Sequence, residues 1–497
     1  MNFYIGIDSG GTFMKAALFD AKGVQHGLAR VSAKVINDRQ GWVERDLDAL
    51  WENAVSVIKQ LLASTHVDVS LIKGISISAQ GKGAYLLDKS GDNLGYGIMS
   101  SDSRSLPIVK QWLEQGLAQE TYPITLQTLW TGHPVSIIRW IKENDAERYA
   151  NIGSIMMAHD YLRYRLTGEI GAEITNMSES NFFNSVKGCY DRDLLKKFGI
   201  EEVWEALPPI VNPQQQAGMV TKKVADETGL AAGTAVFGGL FDVVSTAICS
   251  GINSSVDTLN YVMGTWSVTS GITKEVTKEE HNFVYGHYAV DGEYIIHEAS
   301  PTSAGNYEWF ADYLGEDGQL NHVENQSLVE GLQPADSSIY FVPFLYGSNQ
   351  GLGLKSGFYG LQSHHTKGHL IQAIWEGILF CHNIHLERMR IRFPKAEILK
   401  VTGGPASSPV WMQMLADLTG MTVEISDVDE TGSLGAAMVA MVGAGEFDSV
   451  DECGQTLAVA SSRVYPNKEN YESYQNKYKN YQRLVQLFKQ FEEEMNV

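Results

Sequence analysis

IGIDSGGTFMKAALFD, residues 5–20, reads as two short apolar strands around a turn of small residues. Phe3 to Ile7 predicts a strand, Asp8 to Thr12 the turn, and Met14 to Phe19 a second strand. Gly10 and Gly11 permit positive φ and close backbone approach, so consecutive N–H groups can converge on an anion. Thr12 adds a hydroxyl, and Asp8 at the strand end offers the hard oxygen that suits a hydrated Mg²⁺. A plain β-turn would use the same glycines; the acid directly before them adds the ligand reading. A strand rather than a helix follows, so this is no Walker loop, and GxxxxGK[ST] occurs nowhere in the chain.

Outward from this hairpin, apolar strands alternate with helical patterns, which predicts an α/β fold. Residues 47–62 carry Leu50, Ala54, Val57, Ile58 and Leu61 at helical spacing, and Ile72 to Ile77 is strand-like. Half a chain later, TLNYVMGTWSVTSGI (258–272) repeats the strand, small-residue turn and strand. Two lobes on related plans explain this; chance recurrence of a Gly-turn hairpin is the alternative. At the C-terminus, Tyr471, Tyr474, Tyr478, Tyr481, Val485 and Phe488 form a seam spaced three and four apart. Such a seam packs on its own domain or joins two copies in a homodimer.

Lys and Arg number 38 against 59 Asp and Glu, a formal net charge of −21 over 497 residues. That argues against nucleic-acid and anionic-membrane partners, both of which reward basic surfaces. Cys189, Cys249, Cys381 and Cys453 are scattered without a CxxC pair, as in a protein of a reducing compartment. The N-terminus lacks the basic start and apolar stretch of a signal peptide, and no uncharged apolar run reaches the ~18 residues of a membrane span. A cytoplasmic protein is expected.

One carboxylate stands apart. Residues 228–241 and 243–256 contain no Asp, Glu, Lys or Arg, so Asp242 sits alone between two uncharged runs. A buried carboxylate has a raised pKa, which suits a general base; a helix N-cap for Val243 onward is the structural reading, and both can hold. ILKVTGGPASSPVWMQMLADLTG (398–420) predicts strand, Gly403–Gly404 turn and helix, with Ser408 as N-cap, Pro409 first in the helix and Gly420 as stop. TGSLGAAMVAMVGAG (431–445) permits tight helix packing or nucleotide approach. Gln80 and Lys82 follow a strand among glycines, and Asp102 and Arg104 share a turn; these groups can hydrogen-bond hydroxyls, although surface loops also contain them. His382 and His385 beside Cys381 have metal-like spacing, but on a helix expected over 367–390 such histidines are ordinarily core or surface residues.

Taken in order, these elements resemble the FGGY carbohydrate kinases. The carriers are DSGGT (8–12), GGLFD (238–242), MGTWS (263–267), TGGPASS (402–408) and SGFYGL (356–361) followed by HLIQAIWE (369–376). GHPVSIIRW (132–140) matches the first family signature imperfectly, with Ile137 where the pattern has Lys. The resemblance implies two actin-like, hexokinase-like (ribonuclease H-like) ATPase domains with a cleft between them. Residues 1–248 would hold the sugar and the first phosphate hairpin, and 249–497 the nucleotide and the terminal helix.

It further implies an ATP- and Mg²⁺-dependent kinase acting on a small sugar. Asp242 would be the catalytic base and Asp8 the Mg²⁺ holder. The nucleotide would meet Gly10, Gly11 and Thr12 in the first hairpin and Gly264 and Thr265 in the second. Gly305 would line the nucleotide cleft, and Gly403, Gly404, Ala406 and Ser408 would form the adenosine turn. Gln80, Lys82 and Asp102 would face the sugar. Gly11 stands where many members have Thr, which removes one hydroxyl contact to phosphate. Gln80-Gly81-Lys82-Gly83 replaces the Gln-Met-His-Gly typical of kinases for D-xylulose, and QTLWTGHP (127–134) and HEASPTSAGN (297–306) carry the same narrower similarity to a ketopentose kinase. L-Xylulose is the expected sugar; D-xylulose, L-ribulose or a polyol, and a non-catalytic sugar-responsive ATP-binding sensor, are the alternatives. A Rossmann dehydrogenase lacks its GxGxxG opening a helix.

Overall fold

The computed structural model describes residues 2–495 apart from 265, 278–282, 316–317, 349, 351–353, 427, 429 and 458–461, and apart from the side chain at 312. Packing divides the chain into two compact units. Unit 1 comprises Met1–Ser254, Ile272–Ile296 and Glu430–Ala458; unit 2 comprises Ser255–Gly271, His297–Asp429 and Val459–Val497.

In unit 1 the strands Phe3–Ser9 and Phe13–Asp20 form the expected hairpin, antiparallel with Ser9 opposite Met14. The full sheet runs Gln216–Met219, Ala235–Phe237, Ile72–Ala79, Phe3–Ser9, Phe13–Asp20, Gln25–Ser32, with Leu240–Phe241 added beside the end of Ile72–Ala79. Helix Leu47–Thr65 packs on it. Asp46 caps this helix by accepting the Asp48 and Ala49 N–H groups, and His66 ends it in the left-handed conformation. Its Leu50, Ala54, Val57, Ile58 and Leu61 join Ile5, Ile7, Leu18, Ile75 and Ile77 in one core. Each such side chain taken from water contributes ~1.5–3 kcal/mol, enough together to fix the sheet.

Unit 2 repeats the local plan. Thr258–Met263 pairs antiparallel with Ser267–Thr273 and parallel with Ile398–Thr402, as Phe3–Ser9 pairs antiparallel with Phe13–Asp20 and parallel with Ile72–Ala79. Ile398–Thr402 continues the sheet to Thr422–Ile425 and Ser462–Val464. The shared pairing favours two related plans over a chance recurrence.

The division is discontinuous and so differs from a single boundary at 248/249. Helix Thr431–Gly443 belongs to unit 1 because its small residues let it lie directly on the first strand and on helix Asp242–Cys249. A Cβ on Gly6 would stand 1.8 Å from the Ser433 carbonyl oxygen, and one on Gly435 would stand 2.2 Å from that of Ser245. The 431–445 stretch is thus used for tight packing. The seam of the terminal helix, Lys468–Met495, is buried within unit 2 at Tyr474, Tyr478, Tyr481 and Val485; Tyr478 donates to Glu387 at 2.9 Å and Lys477 pairs with buried Glu376.

Candidate active site

Two carboxylates meet at one end of the unit 1 sheet. Strands Phe3–Ser9 and Leu240–Phe241 both run parallel to Ile72–Ala79, with Asp8 opposite Ser78 on one side and Phe241 opposite Ala79 on the other. Asp8 and Asp242 therefore emerge at the carboxyl ends of strands flanking the same neighbour, where open α/β sheets bind ligands. Burial raises Asp8 to about 6; Glu430 adds to this, while Lys15 and a hydrogen bond from Ser78 oppose it. Burial raises Asp242 to about 7, reinforced by the Asp8 and Glu179 charges and opposed by the Val243 N–H and Lys82. The N-cap expected of Asp242 falls one residue earlier: Phe241 caps the helix and Asp242 is its first residue, because Phe241 is still in strand.

The hairpin tip is exposed at Gly11 and Thr12. Gly10 donates its N–H to the Phe13 carbonyl at 3.0 Å, and the Thr12 carbonyl accepts from Ala33 at 2.8 Å. Neither Gly10 nor Gly11 adopts positive φ, contrary to the reading of their sequence; a Cβ on Gly11 would meet open space, so what the tip gains is an unobstructed backbone. Sequence reading missed Arg45. This buried guanidinium donates to the Gly10 and Gly11 carbonyls at 3.2 and 3.0 Å, holding the tip from behind. Its Nε and Nη1 have no protein partner.

A divalent ion fits beside Asp8. Gly432 faces the carboxylate so closely that a Cβ would lie 2.6 Å from Oδ2, so only glycine leaves that side of Asp8 open. Among the described residues no cluster of three or more His, Cys, Asp or Glu could hold a metal. One hard carboxylate oxygen with water and substrate phosphates to complete the shell is how Mg²⁺ is commonly held.

Behind the Ile72–Ala79 strand, Gln80 donates through Nε2 to the Tyr85 hydroxyl at 3.1 Å. Lys82 is buried in the left-handed conformation, φ 64°. Its ammonium pairs with Glu179 at 2.5 Å and lies 4.9 Å from the Phe241 ring centroid, which brings it to the residue preceding Asp242. Glu179 had no sequence signal beyond lying in a polar run, ITNMSESN (174–181), most of which is buried. Asp102 is wholly buried and accepts from the Val43 and Arg104 N–H groups at 2.7 and 2.8 Å, and from the Arg104 guanidinium at 2.8 and 2.9 Å. All of these bonds go to protein and make Asp102 the anchor of its own loop.

In unit 2 a cavity of about 930 Å³ is lined by Gly264, Gly305, Gly404 and Ser408, with the rings of Tyr307, Trp375 and Trp411. Trp375 stacks on Trp411 at 4.8 Å. Ser408, Pro409 and Gly420 act as cap, first residue and stop, and Ser408 Oγ also donates to Gln326 at 2.9 Å. Gly403 takes φ 107°, and a Cβ there would stand 2.1 Å from the Met263 carbonyl oxygen, so only glycine fits this turn. Ala406 is buried and does not line the cavity, and Thr265 lies outside the described residues. His382 is buried, stacked on Tyr261 at 3.6 Å and hydrogen-bonded to Thr269, while His385 pairs with Glu298; both are structural. Among the described residues no helix is long and apolar enough to cross a membrane.

Unit 1 thus carries a pair of carboxylates at its sheet end, and unit 2 carries an aromatic-walled cavity. The sequence profile of the FGGY family of carbohydrate kinases, N-terminal domain, matches residues 3–249, and that of the C-terminal domain matches 259–444. The chain belongs to the FGGY family of carbohydrate kinases. It is 53% identical over 490 residues to a probable L-xylulose kinase of Pasteurella multocida (strain Pm70), covering 98% of this chain and 99% of the relative. It is 49% identical over 490 residues to the L-xylulose/3-keto-L-gulonate kinase of Escherichia coli (strain K12), covering 98% of each. The fold matches the ligand-bound xylulose kinase of Lactobacillus acidophilus with a TM-score of 0.90 at 21% identity, over 98% of each chain.

Proposed function

We propose that the protein transfers the γ-phosphoryl group of ATP to the 5-hydroxyl of L-xylulose. The carrying observation is Asp242, a carboxylate raised to about 7 at the sheet end, where a base working near neutral pH is needed. Asp242 takes the proton as the sugar oxygen attacks phosphorus; the new O–P bond forms, the bond from phosphorus to the β,γ-bridging oxygen breaks, and ADP leaves. The exposed tip at Gly11 and Thr12 offers backbone and a hydroxyl to phosphate oxygens, with the Gly10 N–H holding the turn through the Phe13 carbonyl, and Gly264 and Thr265 would supply the second phosphate contact. Phosphoryl transfer depends on such positioning and charge neutralisation more than on covalent chemistry. Asp8 would hold Mg²⁺, which when bound neutralises phosphate charge. The adenosine would occupy the aromatic cavity, where Gly404 leaves its wall open and Ser408 fixes the turn.

The sugar assignment rests on the names of the relatives and on the Gln80-Gly81-Lys82-Gly83 loop. Hydroxyl-reading groups reject a mismatched isomer because unpaired buried polar atoms cost ~1–3 kcal/mol each. Four cysteines without a disulfide fit a cytoplasmic enzyme. A coupled ADP-release assay over L-xylulose, D-xylulose, L-ribulose, 3-keto-L-gulonate and glycerol tests the reading. The highest kcat/KM is expected with L-xylulose. A better rate with D-xylulose would overturn the sugar, and no sugar-dependent ADP release would leave an ATP-binding sensor.

A further inference from the structure

Behind Lys82 and Asp242 lies one short turn of helix, Ile174–Met177, joined to both. Buried Glu173 caps it: Oε1 accepts the Thr175 N–H at 2.7 Å, while Oε2 accepts the Thr175 hydroxyl at 2.7 Å and the Asn176 N–H at 3.3 Å. Because the hydroxyl proton of Thr175 is committed to a carboxylate, its oxygen presents lone pairs to the other side. There it accepts the Phe241 N–H at 3.0 Å, the amide directly before Asp242. The next residue, Asn176, turns the other way and accepts the Lys82 N–H at 2.8 Å through Oδ1. That bond holds the strained left-handed backbone of Lys82. The two ends also touch, since a Cβ on Gly81 would fall 2.3 Å from the Phe241 ring.

We infer that Thr175 and Asn176 are positioning residues that align the base strand and the sugar-reading loop through one Glu173-capped turn. Thr175 sets the backbone that aims Asp242, and Asn176 sets the loop carrying Gln80 and Lys82. Both are wholly buried, and Asn176 Nδ2 also reaches the Gln80 carbonyl at 3.5 Å and His159 at 3.4 Å. The inference rests on the reading of Asp242 as base and Lys82 as sugar contact. An error of order 1 Å in a reacting group costs about 10²-fold, so each bond matters through aim.

The test separates kcat from KM. Thr175→Val, which removes the hydroxyl at similar size, should lower kcat about 10- to 100-fold with the KM for L-xylulose changed less than about threefold. Thr175→Ser should restore most of kcat, and Thr175→Ala gives the same reading should the valine variant not fold. Asn176→Ala should chiefly raise the KM for the sugar. Placed in an Asp242→Asn background, Thr175→Val should lower the residual rate no further, which a merely structural role would not produce. A kcat within twofold of wild type for Thr175→Val, or an equal loss in Thr175→Ser, overturns the inference. If Asp242→Asn itself stays active, the base reading has failed instead, and the two failures are distinguished.

Discussion

Asp8 pairs with Ser78 on one side of strand Ile72–Ala79 and Asp242 directly follows Phe241, the partner of Ala79 on the other, and the charge of Asp8 helps burial raise Asp242 to about 7. The charge of Asp8 makes Asp242 harder to ionise, which couples the proton on Asp242 to the state of Asp8. The arrangement favours holding a proton at Asp242.

This coupling has a stability cost with a definite sign. Both folded pKa values, about 6 and about 7, lie above the ~3.9 of an unfolded Asp. The folded chain therefore binds more protons than the unfolded chain between about pH 4 and pH 7, and its stability falls as pH rises through that window. Asp242→Asn removes the penalty. Without nucleotide or Mg²⁺, calorimetry should show Asp242→Asn melting a few degrees above wild type near pH 8 and level with it near pH 4. A gain of equal size at both pH values would contradict the coupling.

Lys82 and Glu179 form a buried pair whose members lean on each other. Glu179→Gln removes the carboxylate paired directly with the buried ammonium and leaves only the Asp242 charge near it, and breaking such pairs costs up to ~3–5 kcal/mol. The predicted result is a clear loss in denaturant midpoint with L-xylulose selectivity over D-xylulose reduced. Unchanged selectivity in a folded Lys82→Met variant would remove Lys82 from the sugar contacts.

Two glycines should behave oppositely. Gly6→Ala drives a methyl to 1.8 Å from the Ser433 carbonyl oxygen, whereas Gly11→Ala meets nothing within 4 Å. Overpacking against backbone is predicted to cost at least ~1–3 kcal/mol at position 6, and ~0.5 kcal/mol or less at position 11. Equilibrium urea unfolding of the two variants checks the contrast; equal midpoints would mean that helix Thr431–Gly443 does not rest on the first strand.

Most of this fold was readable because its strands and helices are local patterns. The first hairpin, helix Leu47–Thr65 with its apolar face, and the Ser408–Pro409–Gly420 punctuation each follow from spacing and capping chemistry. Asp242 was legible because its neighbours are uncharged over long runs. Arg45, Glu173 and Glu179 were not: each is a charged residue that sequence places on a surface, and only tertiary packing buries it. The return of Glu430–Ala458 to unit 1 was hidden for the same reason, since it depends on glycines fitting backbone far away in sequence. Asp102 shows the converse. Its residue type suits a sugar hydroxyl, yet Arg104 and the Val43 N–H fill its acceptor positions.

The measurement that bears most directly on the account is the turnover of Asp242→Asn. The substitution keeps size and hydrogen bonding but cannot take the proton of the sugar hydroxyl, and removing a general base typically costs ~10²–10⁴ in rate. Coupled assays of ADP release with L-xylulose should show kcat reduced by that factor, while calorimetric titration shows ATP and sugar binding within several-fold of wild type. Turnover near the wild-type value in the Asn variant would contradict the assignment of Asp242 as the base.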